Sequence, residues 1–355
     1  TDFAIHMNLV NNMTIIYDGS VADPYGATDA NYNNELQTTL TSVVGEANYD
    51  VGHLMGNVGN NGNAGCIGCV CVNNQKGSGY TTSTVPVGDT FDIDYVAHEL
   101  GHQFGANHTF SNSSEGTGVN KEVGSGVTVM GYAGITPYDT NSNSVDVFHS
   151  ASITQVQANM AGKTCPTTVA ITHSAPVVNA GADYTIPIST PFMLTGSATD
   201  AGGAGALTYT WEQYDNASGA QTGAASAASI TKATGPNWVN YIDSSSPVRY
   251  FPRMSSILAG STTTPGIDVT AEALSSVART LNFRLTARDN VAGQGQTNFD
   301  NTVITVDAAR GPLTVTSQNT AGISYPTSSV QTVTWTVNNT NTSAGGANVD
   351  ILIST

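Results

Sequence analysis

The chain has 355 residues, which is long enough for two or more domains. It carries 10 basic and 26 acidic residues, and its net charge of −16 argues against binding to nucleic acid or to anionic membrane surfaces. No apolar run is long enough to span a bilayer. An acidic surface of this kind suits a secreted protein that binds Ca²⁺ or works in salt, so calcium is an expected cofactor.

The first ninety residues predict short strands, one helix and polar loops. Residues 3–17 have the pattern of paired strands. Residues 34–44 carry apolar side chains at helical spacing, and Gly45 follows as a natural C-cap. The remaining predictions are a strand at 51–55, a Gly/Asn loop at 56–65, a strand at 67–72 forming the edge of a cleft, and a polar loop at 73–90.

The most informative motif is a histidine pattern, H-E-x-x-H-x-x-G-x-x-H. His98 and His102 are four residues apart, so on a helix they lie on one face and can bind one metal ion. Gly105 can adopt positive φ, and the resulting turn can return His108 as a third ligand. Three neutral nitrogens leave the fourth zinc position open for water, and Glu99 is placed to accept a proton from that water.

The segments flanking this motif complete a candidate catalytic region. Asp92 or Asp94 is predicted to cap the motif helix. Residues 151–161, after Ser150, predict the C-terminal helix of this region. Three further histidines lack ligand spacing and are expected to be structural or surface residues: His6, His53 and His149.

The extended motif resembles the metzincin clan of zinc endopeptidases, in which a methionine turn lies under the metal site. The stretch Gly124–Gly134 fits that turn, with Met130 as its methionine. Within the clan the chain is similar to secreted bacterial reprolysin-like (adamalysin-type) proteases. That similarity lies in residues 91–97 and, more loosely, in residues 141–144 and 148–150.

The resemblance covers residues 1–166 and implies an α/β (α+β) catalytic domain with a mixed sheet and an active-site helix. It implies one zinc ion, with Glu99 as general base. It also implies a secreted monomer that cleaves proteins or peptides, with an inhibitory propeptide upstream. The implied zinc ligands are His98, His102 and His108.

Two residues depart from the reprolysin pattern. Thr109 follows the third histidine where many reprolysins have Asp, and the His-Thr-Phe ending is similar to the pappalysin branch. Tyr132 stands two residues after Met130, as in astacins and serralysins, where such a tyrosine is an extra zinc ligand that swings away during turnover. The alternative for Tyr132 is a packing residue beneath the site.

Four cysteines, an even number, suggest disulfides in a secreted chain. The Cys66-x-x-Cys69-x-Cys71 spacing also allows a metal knot, although no matching cluster follows. Sequence alone leaves all three disulfide pairings open. The reprolysin resemblance implies a bond between Cys71 and Cys165, which leaves Cys66 and Cys69 to close a small local loop.

The second half of the chain predicts β-structure only. Residues 167–175 have the composition of a linker, and short Val/Ile/Thr/Tyr runs follow. Residues 176–309 resemble an immunoglobulin-like sandwich of the polycystic-kidney-disease type, with an insertion at 212–280 and Trp211 in its core. The runs that carry this resemblance are 180–186, 192–196, 207–211, 281–288 and 302–306. Residues 310–355 predict the start of a further β-domain, with Trp335 in a strand.

Both ends of the chain lie in strand-like runs, residues 1–7 and 349–355, so we interpret the chain as a fragment of a longer secreted bacterial protein. The function expected from the sequence is a secreted zinc-dependent endopeptidase. The alternative is an inactive protease scaffold that serves as an adhesion or binding module. Retention of all three histidines and Glu99 favours the first.

Overall fold

The computed structural model describes residues 2–17, 19, 22–202, 205–320, 322–344 and 346–350. The chain begins with an extended segment, which pairs with no strand of the described residues. Its one regular element is a 3₁₀ turn at Met13–Ile15. The paired strands predicted at 3–17 are therefore wrong. The alternating apolar residues instead pack on two separate cores: Phe3 and Ile5 on the core below the histidine motif, and Val10 on the core of the first helix.

Helix α1 (Tyr32–Val43) confirms the helix predicted from apolar spacing, and it starts two residues earlier than expected. Its inner face buries Leu36 and Leu40. Gly45 follows the helix with a positive φ of 83°, a value that favours glycine.

A three-stranded mixed sheet lies next to α1. It consists of β1 (His53–Gly56), β2 (Asn60–Asn63) and β3 (Gly79–Ser83), in the order β1-β3-β2. Strand β1 runs parallel to β3, and β2 runs antiparallel to it. The strand predicted at 51–55 is confirmed as β1, whereas β2 and β3 lie within the two predicted loops.

The cleft edge predicted at 67–72 is wrong, because this segment forms turns and β2 occupies the sheet edge instead. Gly68 and Cys71 have φ values of 74° and 68°, which no continuous strand accommodates. The turns also carry two disulfides, Cys66–Cys69 and Cys71–Cys165. The apolar side chain of Val70 in this run is buried below the motif helix, in the same core as Met130.

The motif helix starts with a wide π-type segment, Thr90–Ala97, and continues as α2 (His98–Phe104). The predicted cap is wrong, since the helix begins before Asp92. The Asp94 carboxylate accepts a hydrogen bond from the Ser144 backbone N–H at 2.8 Å instead.

Helix α3 (Ser150–Met160) confirms the helix predicted at 151–161 and packs on α2. Its N-terminus is capped by the buried His149 side chain, which accepts a hydrogen bond from the Ala151 N–H at 3.0 Å. His53 is also structural, because its ring nitrogens contact Gln103 Oε1 and Thr81 Oγ1 at 2.8 and 2.9 Å.

The second half is rich in short strands. The strands are β4 (Val177–Asn179), β5 (Tyr184–Pro187), β6 (Phe192–Thr195), β7 (Ser197–Thr199), β8 (Thr208–Gln213), β9 (Val248–Phe251), β10 (Thr263–Pro265), β11 (Thr270–Ala273), β12 (Arg279–Arg288) and β13 (Thr297–Asp307). Four of them form a sheet in the order β5-β13-β12-β8, and the others form the pairs β4-β7, β6-β9 and β10-β11.

The core of the second half lies between the four-stranded sheet and the β6-β9 pair. Trp211, Phe251 and Phe283 are buried there together with Trp238 from the predicted insertion. Trp211 is therefore a core residue, as predicted. The immunoglobulin-like family of this region stays a prediction.

The insertion packs against the first half of the chain. It contains β9, β10, β11 and the short helix α4 (Met254–Leu258). Two small buried clusters join the halves, one of Val123, Ala228 and Ala273 and the other of Val127, Val239 and Ala271. Val123 and Val127 lie next to the predicted methionine turn, so residues of the second half pack against the segment that supports the candidate site.

Among the described residues beyond 310, β14 (Thr314–Val315) pairs antiparallel with β15 (Trp335–Thr336), and Trp335 lies in a strand as predicted. The strand-like run predicted at 349–355 falls almost wholly outside the described residues. Among the helices of the described residues, none has the length and apolar character needed to cross a membrane.

Candidate metal centre

Three histidine side chains converge on one point in the cleft. The Nε2 atoms of His98, His102 and His108 lie 3.1, 3.2 and 2.9 Å from one another. Helix α2 places the first two on one face, one turn apart. The helix ends at Gly105, whose φ of 120° turns the chain back and brings His108 to the same point.

The Nδ1 atom of each ring is held by an acceptor. His98 Nδ1 lies 2.7 Å from Val129 O, and His102 Nδ1 lies 2.8 Å from Ala106 O. His108 Nδ1 lies 2.9 Å from the Glu115 carboxylate. Since Nδ1 donates in each case, each neutral ring presents a bare lone pair at Nε2. Three nitrogen lone pairs that face one another at this distance repel, and a cation bound between them would remove the repulsion.

These donors fit zinc. Four tetrahedral bonds of about 2.0–2.1 Å would separate ligand nitrogens by about 3.3 Å, close to the observed separations. Burial also keeps the rings neutral. It lowers the pKa of His98 well below its usual value and that of His102 to about 4, and it lowers the pKa of His108 against the opposing effect of Glu115.

The Met130 side chain lies directly beneath α2. It is fully buried, and a methyl group at Gly101 would meet its Sδ at 2.5 Å. Val129, one residue earlier, supplies the carbonyl that holds His98. The segment predicted as a methionine turn thus supports the helix and orients one of the three histidines.

Glu99 lines the same cleft, under the edge strand β2. Its carboxylate is largely buried, and burial raises its pKa to about 7, with a hydrogen bond from the Ala64 backbone acting in the opposite direction. Gly62 of β2 approaches so closely that a methyl group there would meet Glu99 Oε1 at 2.6 Å. The edge strand therefore sets the position of this carboxylate.

Tyr132 packs against two of the histidines, His98 and His108. Its ring centroid lies 4.5 Å from that of His108 and 4.8 Å from that of Phe110. Burial raises the pKa of Tyr132 to about 12, helped by the charges of Glu99 and Glu115, so the phenol stays protonated and remains a donor. Residues 131–135 continue along a cavity of about 250 Å³ that Glu99 also lines.

Residues 1–162 match the model of the reprolysin-like metallo-peptidase family M12B. This match supports a reprolysin-like metalloprotease domain. It spans slightly less than half of the 355 residues, and it supports a zinc metalloprotease function for the region that it covers. A comparison with curated proteins finds no match. We refer to residues 1–162 as the protease region.

Two carboxylates of this centre were not predicted from the sequence. Glu115 was missed because it lies in a polar loop, where an acidic residue gives no signal of its own. Glu122 carried a weak signal, since it immediately precedes a glycine-rich apolar segment, and an acid buried there must be hydrogen-bonded. Its partners come from three separate segments, which no spacing in the sequence reveals.

Glu122 organises the loop around the methionine turn. It is buried and accepts hydrogen bonds from the hydroxyls of Thr109 and Thr128, both at 2.5 Å. It also accepts from the backbone N–H groups of Val127 and Thr128 at 3.0 and 3.1 Å. Thr109, the residue that departs from the reprolysin pattern, therefore connects the third histidine to this carboxylate.

The expected calcium site has no support in the described residues. Within that part of the chain two groups of side chains are close enough to hold a metal ion, and each includes a histidine. Calcium prefers six to eight oxygen ligands, so neither group suits it.

Proposed function

We propose that the protease region is a zinc-dependent endopeptidase in which Glu99 is the general base. The observation that carries this proposal is the convergence of the three Nε2 atoms beside the Glu99 carboxylate, in an open cleft. A zinc ion held by His98, His102 and His108 would supply Lewis acidity to a peptide carbonyl and to an attacking water.

The residues of the chain provide the remaining steps. The Glu99 carboxylate takes the proton of the attacking water and passes it to the nitrogen of the leaving amine. Burial raises the pKa of the Glu99 carboxyl group above its ordinary value, which favours a group that can hold the proton before passing it on. The Tyr132 phenol, which lines the same cavity, donates a hydrogen bond to the developing oxyanion.

The substrate class follows from the shape of the cleft. Strand β2 pairs with β3 on one side, and Asn61 and Gly62 of β2 line the cavity beside Glu99. An extended peptide can therefore add to this edge through main-chain hydrogen bonds. The loop after Met130 lines the pocket for the substrate side chain that follows the cleaved bond. Two disulfides are consistent with an extracellular location, which we include in the proposal.

Casein digestion by zinc-loaded protein tests this proposal. The Glu99→Gln variant should keep its zinc and its fold but lose proteolysis by at least about a thousandfold, since the amide cannot accept the proton. The matched control is Glu35→Gln, which removes the same charge on α1, away from the cleft, and should remain active.

Activity of Glu99→Gln within about tenfold of wild type would remove Glu99 from the mechanism. Wild-type protein that binds zinc but cleaves neither casein nor a peptide library would contradict the proposed activity and favour the inactive binding scaffold.

A further inference from the structure

A second group of metal-ligand side chains lies where three segments of the second half meet. His173 belongs to the stretch that precedes β4, Asp200 directly follows β7, and Asp289 directly follows β12. One ligand atom from each lies within 4.8 Å of the other two. The group shares no residue with the centre in the protease region.

Four polar atoms of this group lack hydrogen-bond partners among the described residues. The side chain of His173 is 5% exposed and that of Asp289 is fully buried. Within the part of the chain that the structure describes, His173 Nε2, Asp289 Oδ2 and both carboxylate oxygens of Asp200 have no hydrogen-bond partner. Buried polar atoms are normally satisfied, so four unsatisfied atoms within one such group indicate that it binds a ligand.

The surrounding contacts hold the Asp289 carboxylate against the His173 ring. Asp289 Oδ1 accepts hydrogen bonds from the Val291 and Gln296 N–H groups at 3.3 and 2.8 Å, which fixes the carboxylate with Oδ2 towards His173. His173 Nδ1 lies 3.3 Å from Ser174 O, 3.3 Å from Gln296 Nε2 and 3.5 Å from Asp289 Oδ2.

Protonation of His173 does not account for this arrangement. One imidazolium would balance one carboxylate, but two carboxylates are present, and Asp200 would still lack a donor for either oxygen. A divalent cation balances both charges and gives each side chain a partner.

We propose that His173, Asp200 and Asp289 bind one divalent transition-metal ion of the Zn²⁺ class. An imidazole nitrogen with two carboxylates suits zinc and its neighbours, whereas calcium prefers oxygen ligands alone. The ion has a structural effect, since it ties the segment before β4 to the loops after β7 and β12. It thereby fixes the start of the second half.

Calorimetric titration of chelator-stripped protein with ZnCl₂ tests the proposal, and circular dichroism confirms that each variant is folded. Wild type should bind two equivalents. Asp200→Asn keeps the side-chain shape but removes a charge, and it should leave one equivalent, with affinity for the second reduced by more than the 10–100-fold that loss of an outer-shell partner costs. The matched control Asp23→Asn, an exposed residue of the protease region, should bind two equivalents.

His108→Ala separates this site from the catalytic one. In that variant zinc should still raise the melting temperature through the second site, and adding Asp200→Asn should abolish the increase. Absence of zinc binding in His108→Ala, or a second equivalent that survives Asp200→Asn, would overturn the proposal, as would a second site that takes CaCl₂ but not ZnCl₂. None of these outcomes bears on proteolysis.

Discussion

The side-chain amide of Asn240, in the second half of the chain, donates a hydrogen bond of 3.3 Å to the buried carboxylate of Glu122 in the protease region. The same carboxylate binds Thr109, next to the third histidine, and Thr128, next to the residue that holds His98. The insertion of the second half therefore contacts the metal centre through one shared acceptor.

Glu122→Gln should destabilise the protein strongly. All five groups that surround the carboxylate are donors or can act as donors, and a glutamine would turn its own NH₂ towards some of them. We expect the free energy of unfolding to fall by about 2–4 kcal/mol, as for other broken buried networks, with weaker zinc binding. Denaturant unfolding measures the change.

Asn240→Ala provides the comparison for Glu122→Gln, because it removes one of the five hydrogen bonds and should cost about 1 kcal/mol. Equal effects of the two substitutions would argue against Glu122 as the organising residue.

Glu115→Gln should weaken zinc binding while leaving the fold intact. The carboxylate holds His108 Nδ1 at 2.9 Å and so orients the ring and raises its basicity as a ligand. Loss of such a partner typically lowers metal affinity 10–100-fold. Competition with a chromophoric chelator gives the dissociation constant, and an unchanged value would show that Glu115 has no part in the centre.

Gly62→Ala should impair catalysis without releasing zinc. The added methyl group would meet Glu99 Oε1 at 2.6 Å and Cγ at 2.8 Å, so the carboxylate must move. A displacement of this order can cost about a hundredfold in kcat. Gly219→Ala is the matched control, since a methyl group there meets no atom within 4 Å. Equal kcat values for the two variants would remove β2 from the positioning of Glu99.

Tyr132→Phe distinguishes a donor from a packing residue. If the phenol stabilises the oxyanion, kcat should fall by roughly ten- to a thousandfold with zinc content unchanged. The ring would still pack against His108 and Phe110, so the fold should be unaffected. An unchanged kcat would assign Tyr132 to packing alone.

The features of the site predicted most accurately are those set by short spacing. The positions of His98 and His102 follow from the helical repeat, and the return of His108 follows from the turn at Gly105. The helix α1 and the buried Trp211 likewise follow from local apolar patterns. In each case the residues that decide the structure lie within a few positions of one another.

Features that depend on distant contacts were not predictable in this way. The run at 67–72 has the composition of a strand, but two disulfides and positive φ values impose turns, and the cleft edge moves to the polar run Asn60–Asn63. The partners of Glu122 come from separate segments, including Asn240. No periodicity in the sequence predicts contacts between residues so far apart in the chain.

The most direct test of the central claim is the position of zinc in crystals of the chain grown with the metal, measured by anomalous scattering at the zinc edge. We predict a peak about 2.0–2.1 Å from the Nε2 atoms of His98, His102 and His108, with Glu99 beside it but not bound to it. A map without a peak at these three atoms, or with zinc bound through Glu99, would contradict the account.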